Sequence, residues 1–222
     1  MTGVDTGVGK TVVTTALWSY GHHYVQQEQW GVFKPMQSGT AVEPGDRQHY
    51  CTTLPLSQAP EEICPLSFAA PLAPPMAALL EERDIDLAPL WHTYRQLQQR
   101  FDRLLVEGIG GLGSPITWEW TVADLAAAWR LPIVLVATVR LGAIAQIVAN
   151  VALARQYKLE LRGLILNCVT PCSDADIQQW TPPHFLSQLT QVPVLGVLPY
   201  GSHSPAALAT IVAEWPLECL WR

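Results

Sequence analysis

The sequence has few charged residues and no long apolar run. Charged residues make up 14% of its 222 residues, and the net charge is −6. An acidic balance disfavours a general nucleic-acid surface, which needs clustered Lys and Arg side chains. No apolar run reaches the roughly 18–20 residues that cross a bilayer, and no basic stretch leads into an apolar run as in a secretory signal. We therefore expect no nucleic-acid partner and no membrane partner, and we predict a cytoplasmic location.

The sequence also lacks paired cysteines, internal repeats and linkers. Its five cysteines are scattered and odd in number, which favours a reducing compartment over a disulfide framework. Cys168 and Cys172 have no second pair of metal ligands nearby, so we expect no structural metal there. The length suits one compact domain, and we predict a single domain over residues 1–222.

Short apolar runs alternate with amphipathic stretches along the chain. This alternation predicts an α/β fold whose parallel strands are joined by helical crossovers. The segment 41–77 is rich in proline and has no clear period, so we expect an ordered excursion beside the active edge. The predicted strands, each buried on both faces, are Trp30–Pro35, Arg103–Gly108, Pro132–Val139, Gly163–Val169 and Pro193–Pro199. The predicted helices run from Lys10 to about Gln26 and over Leu87–Phe101, Ala143–Tyr157 and Pro183–Leu189.

A phosphate-binding signature begins at the second residue. Gly3, Gly7 and Gly9 precede Lys10-Thr11, and an apolar helical pattern follows. Glycines let backbone N–H groups approach phosphate oxygens at a helix N-terminus. The lysine reaches the outer phosphates and the threonine hydroxyl joins a Mg²⁺ shell. The spacing is G-x5-G-K-T, one residue longer than the common P-loop, which indicates a particular subgroup of P-loop proteins.

Two further clusters follow predicted strands. "FKPMQSG" places Lys34 and Ser38 just past a strand end, beside the expected phosphate chain. "LLVEGIGG" ends a strand with Glu107, an oxygen ligand of the kind that Mg²⁺ prefers. Asp46, in "EPGDRQHY", is a plausible further ligand. Because ligands of parallel sheets bind at the carboxyl ends of the strands, these groups should meet at one edge.

Together these motifs resemble the dethiobiotin synthetase family. The family pattern T-G-x-D-T-x-V-G-K-T is matched by residues 2–11, K-P-x-x-S-G by residues 34–39 and V-E-G-x-G-G by residues 106–111. Later stretches, "VRLGAI", "LILNCVTP" and "GVLP", also match, so the resemblance covers nearly the whole chain. It implies a P-loop NTPase-like, Rossmann-like fold and a homodimer. It also implies ATP- and Mg²⁺-dependent ring closure of 7,8-diaminononanoate with CO₂ through a carbamate and its phosphoric anhydride.

The resemblance assigns roles to individual residues. Those implied in catalysis are Lys34, Lys10, Thr6 and Ser38. Those implied in ATP binding are Gly7, Val8, Gly9, Lys10, Thr11, Val12, Asp46, Glu107, Asn167 and Pro199, with Asn167 reading adenine. Those implied in substrate binding are Thr6, Lys34, Ser38, Gly110, Leu141, Gly142 and Ile144, the last three coming from the partner subunit. The implied Mg²⁺ ligands are Thr11, Asp46 and Glu107.

The sequence departs from the family pattern in places. Cys168 stands where some relatives carry an acid, Ala145-Gln146 where many have Asn-His, and Ala73-Pro74-Pro75 where Ser-Pro-His is frequent. The family also carries an apolar strand before the Thr-Gly pair. We therefore expect a truncated first strand, and a natural protein that starts upstream of Met1.

Other functions remain open at this point. A partitioning-type ATPase switch shares the P-loop subgroup, but it places a second lysine near the start of its loop, where this chain has Val4 and Asp5. A different carboxylate ligase and a nucleotide-binding relative without turnover are the further alternatives. The combination of Lys10, Thr11, Lys34 and Glu107 favours the synthetase.

Overall fold

The computed structural model describes residues 1–201 and 203–220, and within them the protein is built on parallel strands. Strands β1, β6, β7 and β8 form one group in that order, β2 pairs with β5, and the short β3 pairs with β4. All of these pairings are parallel, which confirms the predicted α/β class. The strands are β1 (Thr2–Gly3), β2 (Trp30–Phe33), β3 (Met36–Gln37), β4 (Leu66–Ser67), β5 (Arg103–Val106), β6 (Ile133–Thr138), β7 (Leu161–Asn167) and β8 (Val194–Leu198).

Helices connect these strands, and the four that the sequence predicts lie within two residues of their expected bounds. Among the residues described, the structure adds six α-helices, of which two lie inside the aperiodic segment and a third begins in it and ends just beyond it. The α-helices are α1 (Lys10–Tyr24), α2 (Asp46–Thr53), α3 (Pro60–Ile63), α4 (Pro74–Leu80), α5 (Ala88–Arg100), α6 (Val122–Ala128), α7 (Ala143–Gln156), α8 (Asp174–Trp180), α9 (Pro183–Thr190) and α10 (Pro205–Ala213). A 3₁₀ turn follows at Leu217–Leu220.

The first strand is only two residues long and joins the two main strand groups. Thr2 and Gly3 pair with β6. On the other side, the Met1 nitrogen donates to the Val106 carbonyl at 2.7 Å, and the Gly108 N–H donates to the Met1 carbonyl at 2.9 Å. The spatial order across the sheet is therefore β2-β5-β1-β6-β7-β8.

Beside this short strand lies an apolar cavity. It has a volume of about 140 Å³, and its walls include Leu104 and Leu105 of β5 and Ile133 and Val134 of β6. The prediction that β5 is buried on both faces is wrong, because its four residues are only partly buried. Leu104, Leu105 and Val106 line this cavity, which leaves them partly accessible.

Several packed clusters support the sheet. The largest surrounds β6, β7 and β8 and includes residues of α1, α7, α9 and α10. A second cluster holds stacked aromatic rings, with Tyr94 on Trp129 at a centroid distance of 4.9 Å. Trp18 and Trp30 pack with Tyr50 in a third cluster. In the described part of the chain, no helix has the length and apolarity to cross a membrane.

Candidate active site

The phosphate-binding loop links β1 to α1. Its Gly7 and Gly9 have φ angles of 73° and 83°, in the left-handed region that favours glycine. At Gly9 a Cβ atom would lie 2.0 Å from the Asn167 side-chain nitrogen, so another residue would collide. That nitrogen donates to the Val8 carbonyl at 2.9 Å. Asn167, at the end of β7, therefore contacts the loop and stabilises its conformation.

Lys10 and Thr11 open α1 at the mouth of this loop. Lys10 is 7% exposed, and its Nζ donates to the Asp5 carbonyl at 3.1 Å. Burial lowers the pKa of Lys10 to about 8, although the charge of Glu107 opposes the shift. The Thr11 hydroxyl donates to Asp46 Oδ1 at 2.7 Å and lies 3.1 Å from Glu107 Oε1. The loop thus brings one buried cation and one hydroxyl to a pair of carboxylates.

Lys34 ties the same carboxylates together. Its Nζ lies 2.7 Å from Glu107 Oε1 and 2.8 Å from Asp46 Oδ2. The side chains of Lys34 and Glu107 are 3% and 0% exposed, whereas that of Asp46 is 32% exposed. Lys34 follows β2, Glu107 follows β5 and Asp46 begins α2. The structure therefore brings together the three charged groups at the edge that the sequence predicts.

Their mutual attraction outweighs burial. Burial alone would lower the pKa of Lys34, but Glu107 and Asp46 raise that pKa above its ordinary value. Burial would likewise raise the pKa of Asp46, but Lys34 and the Thr11 hydroxyl hold it below its ordinary value. At neutral pH the site therefore contains a charged lysine beside an ionised Asp46.

Two residues that the sequence analysis missed hold these groups in place. Tyr50, fully buried in α2, donates its hydroxyl to Glu107 Oε2. Gln37, 4% exposed, accepts from the Arg47 N–H at 3.1 Å and so anchors the start of α2 beside Asp46. Gln37 occupies a variable position of the motif at residues 34–39, and Tyr50 lies in the segment without periodicity. Tyr50 follows Asp46 by four residues, a spacing that places both on one face of a helix, but the sequence does not predict α2 itself.

The donor set fits Mg²⁺. The Thr11 hydroxyl oxygen lies 2.7 Å from an Asp46 oxygen and 3.1 Å from a Glu107 oxygen, and both carboxylates contact Lys34. No group of three or more His, Cys, Asp or Glu side chains in the described residues is arranged to hold a metal ion alone. Mg²⁺ does not require one, since it usually binds one or two carboxylates together with substrate phosphates and water.

A cleft of about 760 Å³ opens over these groups. Its lining combines the charged groups with apolar residues that include Val42, Leu72 and Ile109. The segment predicted as an excursion beside the active edge supplies Val42 and Leu72 to this lining. The predicted site residues that line the cleft are Thr6, Gly7, Gly9, Lys10, Thr11, Val12, Lys34, Ser38, Asp46, Glu107 and Gly110.

The remaining predicted residues lie elsewhere. Val8 and Asn167 are buried behind the loop, and Pro199 is exposed after β8. Leu141, Gly142 and Ile144 lie between β6 and the first turn of α7, and Leu141 is 79% exposed. None of these six residues lines the cleft of its own chain, and their roles in binding stay predictions.

A series of hydrogen bonds connects the β6–α7 segment to the phosphate loop. Arg140 Nη2 donates to Gln146 Oε1 at 2.9 Å, and Gln146 Nε2 donates to Asp5 Oδ2 at 3.3 Å. Asp5 Oδ1 in turn accepts from the Thr6 N–H at 2.7 Å. Gln146 therefore has a contact in the loop, at one of the positions where the sequence departs from the family pattern.

Solved structures with a similar fold include two ATPases. A ParA family ATPase from Chlorobium tepidum TLS covers 96% of this chain, with 89% of its own chain aligned, at a TM-score of 0.55 and 10% identity. The cell division ATPase MinD from Pyrococcus furiosus aligns over 96% of this chain and 95% of its own, at a TM-score of 0.55 and 16% identity. Together with the glycine loop and its lysine, this likeness defines a P-loop NTPase-like fold.

Comparison with similar sequences identifies the family within this fold. A family described as AAA domain matches residues 1–206. An ATP-dependent dethiobiotin synthetase from Crocosphaera subtropica is 48% identical, with 99% of this chain and 97% of the relative covered. Others are 45% identical in Synechocystis sp. (98% and 92% covered) and 42% identical in Gloeobacter violaceus (93% and 86% covered). The chain belongs to the dethiobiotin synthetase family of ATP-dependent ligases.

Proposed function

We propose that the protein converts 7,8-diaminononanoate, CO₂ and ATP into dethiobiotin, ADP and phosphate, a step of biotin biosynthesis. The family membership supports the overall reaction. The observation that carries it to this chain is the buried lysine at the end of β2, Lys34, held between Asp46 and Glu107 beside the phosphate loop.

The reaction balances in three steps. One amine of the substrate attacks CO₂, forming an N–C bond and losing a proton, to give a carbamate. A carbamate oxygen attacks the γ-phosphorus of ATP, and the bond from that phosphorus to ADP breaks. The second amine then attacks the carbamate carbon, phosphate leaves with the C–O bonding electrons, and loss of a proton completes the cyclic urea.

The charged groups have distinct roles in this scheme. Phosphoryl transfer requires mainly positioning and charge compensation. Lys10 binds the outer phosphates of ATP, and Lys34 lies beside the transferring phosphoryl group and the carbamate. Thr6 and Ser38 supply hydroxyls to the same cleft. Thr11, Asp46 and Glu107 would hold Mg²⁺, which would neutralise negative charge on the phosphate oxygens.

The cleft also suits the rest of the substrate. Val42, Leu72 and Ile109 line it and offer apolar contacts to a methylene chain. Gly110, a buried residue with a φ angle of 59°, lines the cleft next to the phosphate loop, and we assign the substrate carboxylate to its backbone. Leu141 and Gly142 are exposed, and the segment 141–144 does not line the cleft of its own chain, which supports its supply by the second subunit of a homodimer. Light scattering of the purified protein tests the dimer.

One incubation tests the function. The protein is mixed with 7,8-diaminononanoate, bicarbonate, Mg²⁺ and ATP, and ADP release and the product mass are followed. We expect ADP in equal amount to a product heavier than the diamine by CO₂ less water. A parallel reaction without the diamine is the control. ATP turnover that ignores the diamine would instead indicate a switch-type ATPase, and absence of turnover with intact, folded protein would refute the proposal.

A further inference from the structure

Glu107 has a different partner on each of its carboxylate oxygens. Oε1 accepts from Lys34 Nζ at 2.7 Å and lies 3.1 Å from the Thr11 hydroxyl, which donates to Asp46. Oε2 accepts from the Tyr50 hydroxyl. Tyr50 is 0% exposed, so water cannot replace its hydroxyl at Oε2. The direction in which Oε2 faces is therefore set by the protein.

The tyrosine that contacts Oε2 is itself rigidly held. Tyr50 packs in the cluster formed with Trp18, Trp30 and Ile63, and its ring has only two rotatable side-chain bonds. It lies one helical turn after Asp46, so α2 directs both residues at the same site. A phenol is neutral at pH 7, so the Tyr50 hydroxyl is a donor to the Glu107 carboxylate.

From this geometry we infer that Tyr50 is a positioning residue for the divalent cation. It acts through Glu107 by holding Oε2, which leaves Oε1 directed at Thr11 and the phosphate side of the cleft. Without the hydroxyl, Oε2 would be a buried anionic oxygen with no donor, which is costly. The carboxylate would then turn both oxygens towards Lys34 and lose its orientation towards the metal. The inference rests on the proposed Mg²⁺·ATP function and extends it to a residue that does not contact the cation.

The test measures metal binding directly. In Tyr50→Phe, Mn²⁺ binding in the presence of a non-hydrolysable ATP analogue is followed by electron paramagnetic resonance. Loss of such an outer partner typically weakens metal affinity by 10–100-fold, and we expect a loss of about tenfold. Binding of the same analogue in EDTA should change by less than about twofold, because the phosphate loop does not contact Tyr50.

Two further variants separate positioning from simple packing. Tyr94→Phe removes the same hydroxyl from a buried ring stacked on Trp129 and is expected to leave Mn²⁺ binding unchanged. In a Glu107→Gln background, Tyr50→Phe should have no further effect on Mn²⁺ binding, since the carboxylate through which it acts is gone.

The outcomes distinguish this inference from the proposed function. Unchanged Mn²⁺ affinity in Tyr50→Phe would overturn the inference alone. So would an equal loss of analogue binding in EDTA, or a tenfold effect that persists beside Glu107→Gln. If the parent protein bound neither Mn²⁺ nor the analogue, the proposed function itself would fail, and this inference with it.

Discussion

Replacing Lys34 with alanine should destabilise the metal-free protein and stop turnover. The substitution leaves two carboxylates facing each other without the cation that lies 2.7 Å from one and 2.8 Å from the other. Removing one partner of a buried ion pair costs about 3–5 kcal/mol, because an uncompensated charge stays buried.

The structure places this variant at the lower end of that range. Only Glu107 is fully buried, whereas the Asp46 side chain is 32% exposed and can be hydrated. We therefore expect a loss of about 3 kcal/mol in the free energy of unfolding. For a protein of this size, each kcal/mol lowers Tm by about 2–4 °C, which gives a decrease of about 6–12 °C. Mg²⁺ should restore part of this loss, since it compensates the same carboxylates.

The assay is urea unfolding at pH 7 with EDTA and with Mg²⁺, alongside turnover and ATP binding. Lys158→Ala, at an exposed lysine, is the matched control and should stay within about 0.5 kcal/mol of the parent. Turnover of Lys34→Ala should fall far more than ATP affinity, because the charge matters most during phosphoryl transfer. An unfolding free energy within about 1 kcal/mol of the parent, unaffected by Mg²⁺, would refute the reasoning.

Three other predictions concern the phosphate loop. The pKa of Lys10 is about 8 in the free protein and should rise when a phosphate binds beside it. Nucleotide affinity in EDTA should therefore be flat below pH 8 and fall above it, by at most about tenfold per pH unit. Equal affinities at pH 7 and pH 9 by calorimetry would contradict this. Gly9→Ala forces a strained φ angle and places the new Cβ atom 2.0 Å from the Asn167 side-chain nitrogen. It should cost about 1–3 kcal/mol of stability and abolish tight nucleotide binding. The control is Gly113→Ala, whose Cβ atom meets only an ordinary contact, and it should bind the nucleotide normally. Gln146→Leu removes the contact to Asp5 and should raise the KM for ATP about two- to fivefold with little change in Tm; an unchanged KM would show that this contact does not hold the loop.

The sequence predicts the long elements because their patterns are regular. Apolar runs bounded by Gly and Pro identify β2, β5, β6, β7 and β8. The missed helices are short or atypical. The capping residues of α6, Thr121 and Asp124, are readable in the sequence, but the helix has only seven residues. The apolar α10 shows little difference between its faces, so its period does not stand out.

Some residues of the candidate site could likewise be predicted from the sequence, and others could not. Motif residues such as Lys10, Lys34 and Glu107 follow strands or glycines, and topology brings them to one edge. Tyr50 could not be identified from sequence, because its role depends on the path of an aperiodic segment across the end of the sheet. The contact of Asn167 with the loop likewise could not be predicted, because it depends on the distance between β7 and the loop in the folded protein.

The position of β1 in the sheet has a consequence for its stability. The halves of the sheet on either side of β1 both contact Met1–Gly3, and the chain passes from there directly into the phosphate loop. The segment that contacts both halves therefore leads into the loop that is predicted to bind the nucleotide. Binding of ATP to the loop should stabilise the hydrogen bonds that join β1 to its neighbours. Amide hydrogen exchange at the edges of β5 and β6 that face β1 should therefore slow when ATP binds. The exchange rate at these amides would then measure the fraction of the protein with an occupied loop.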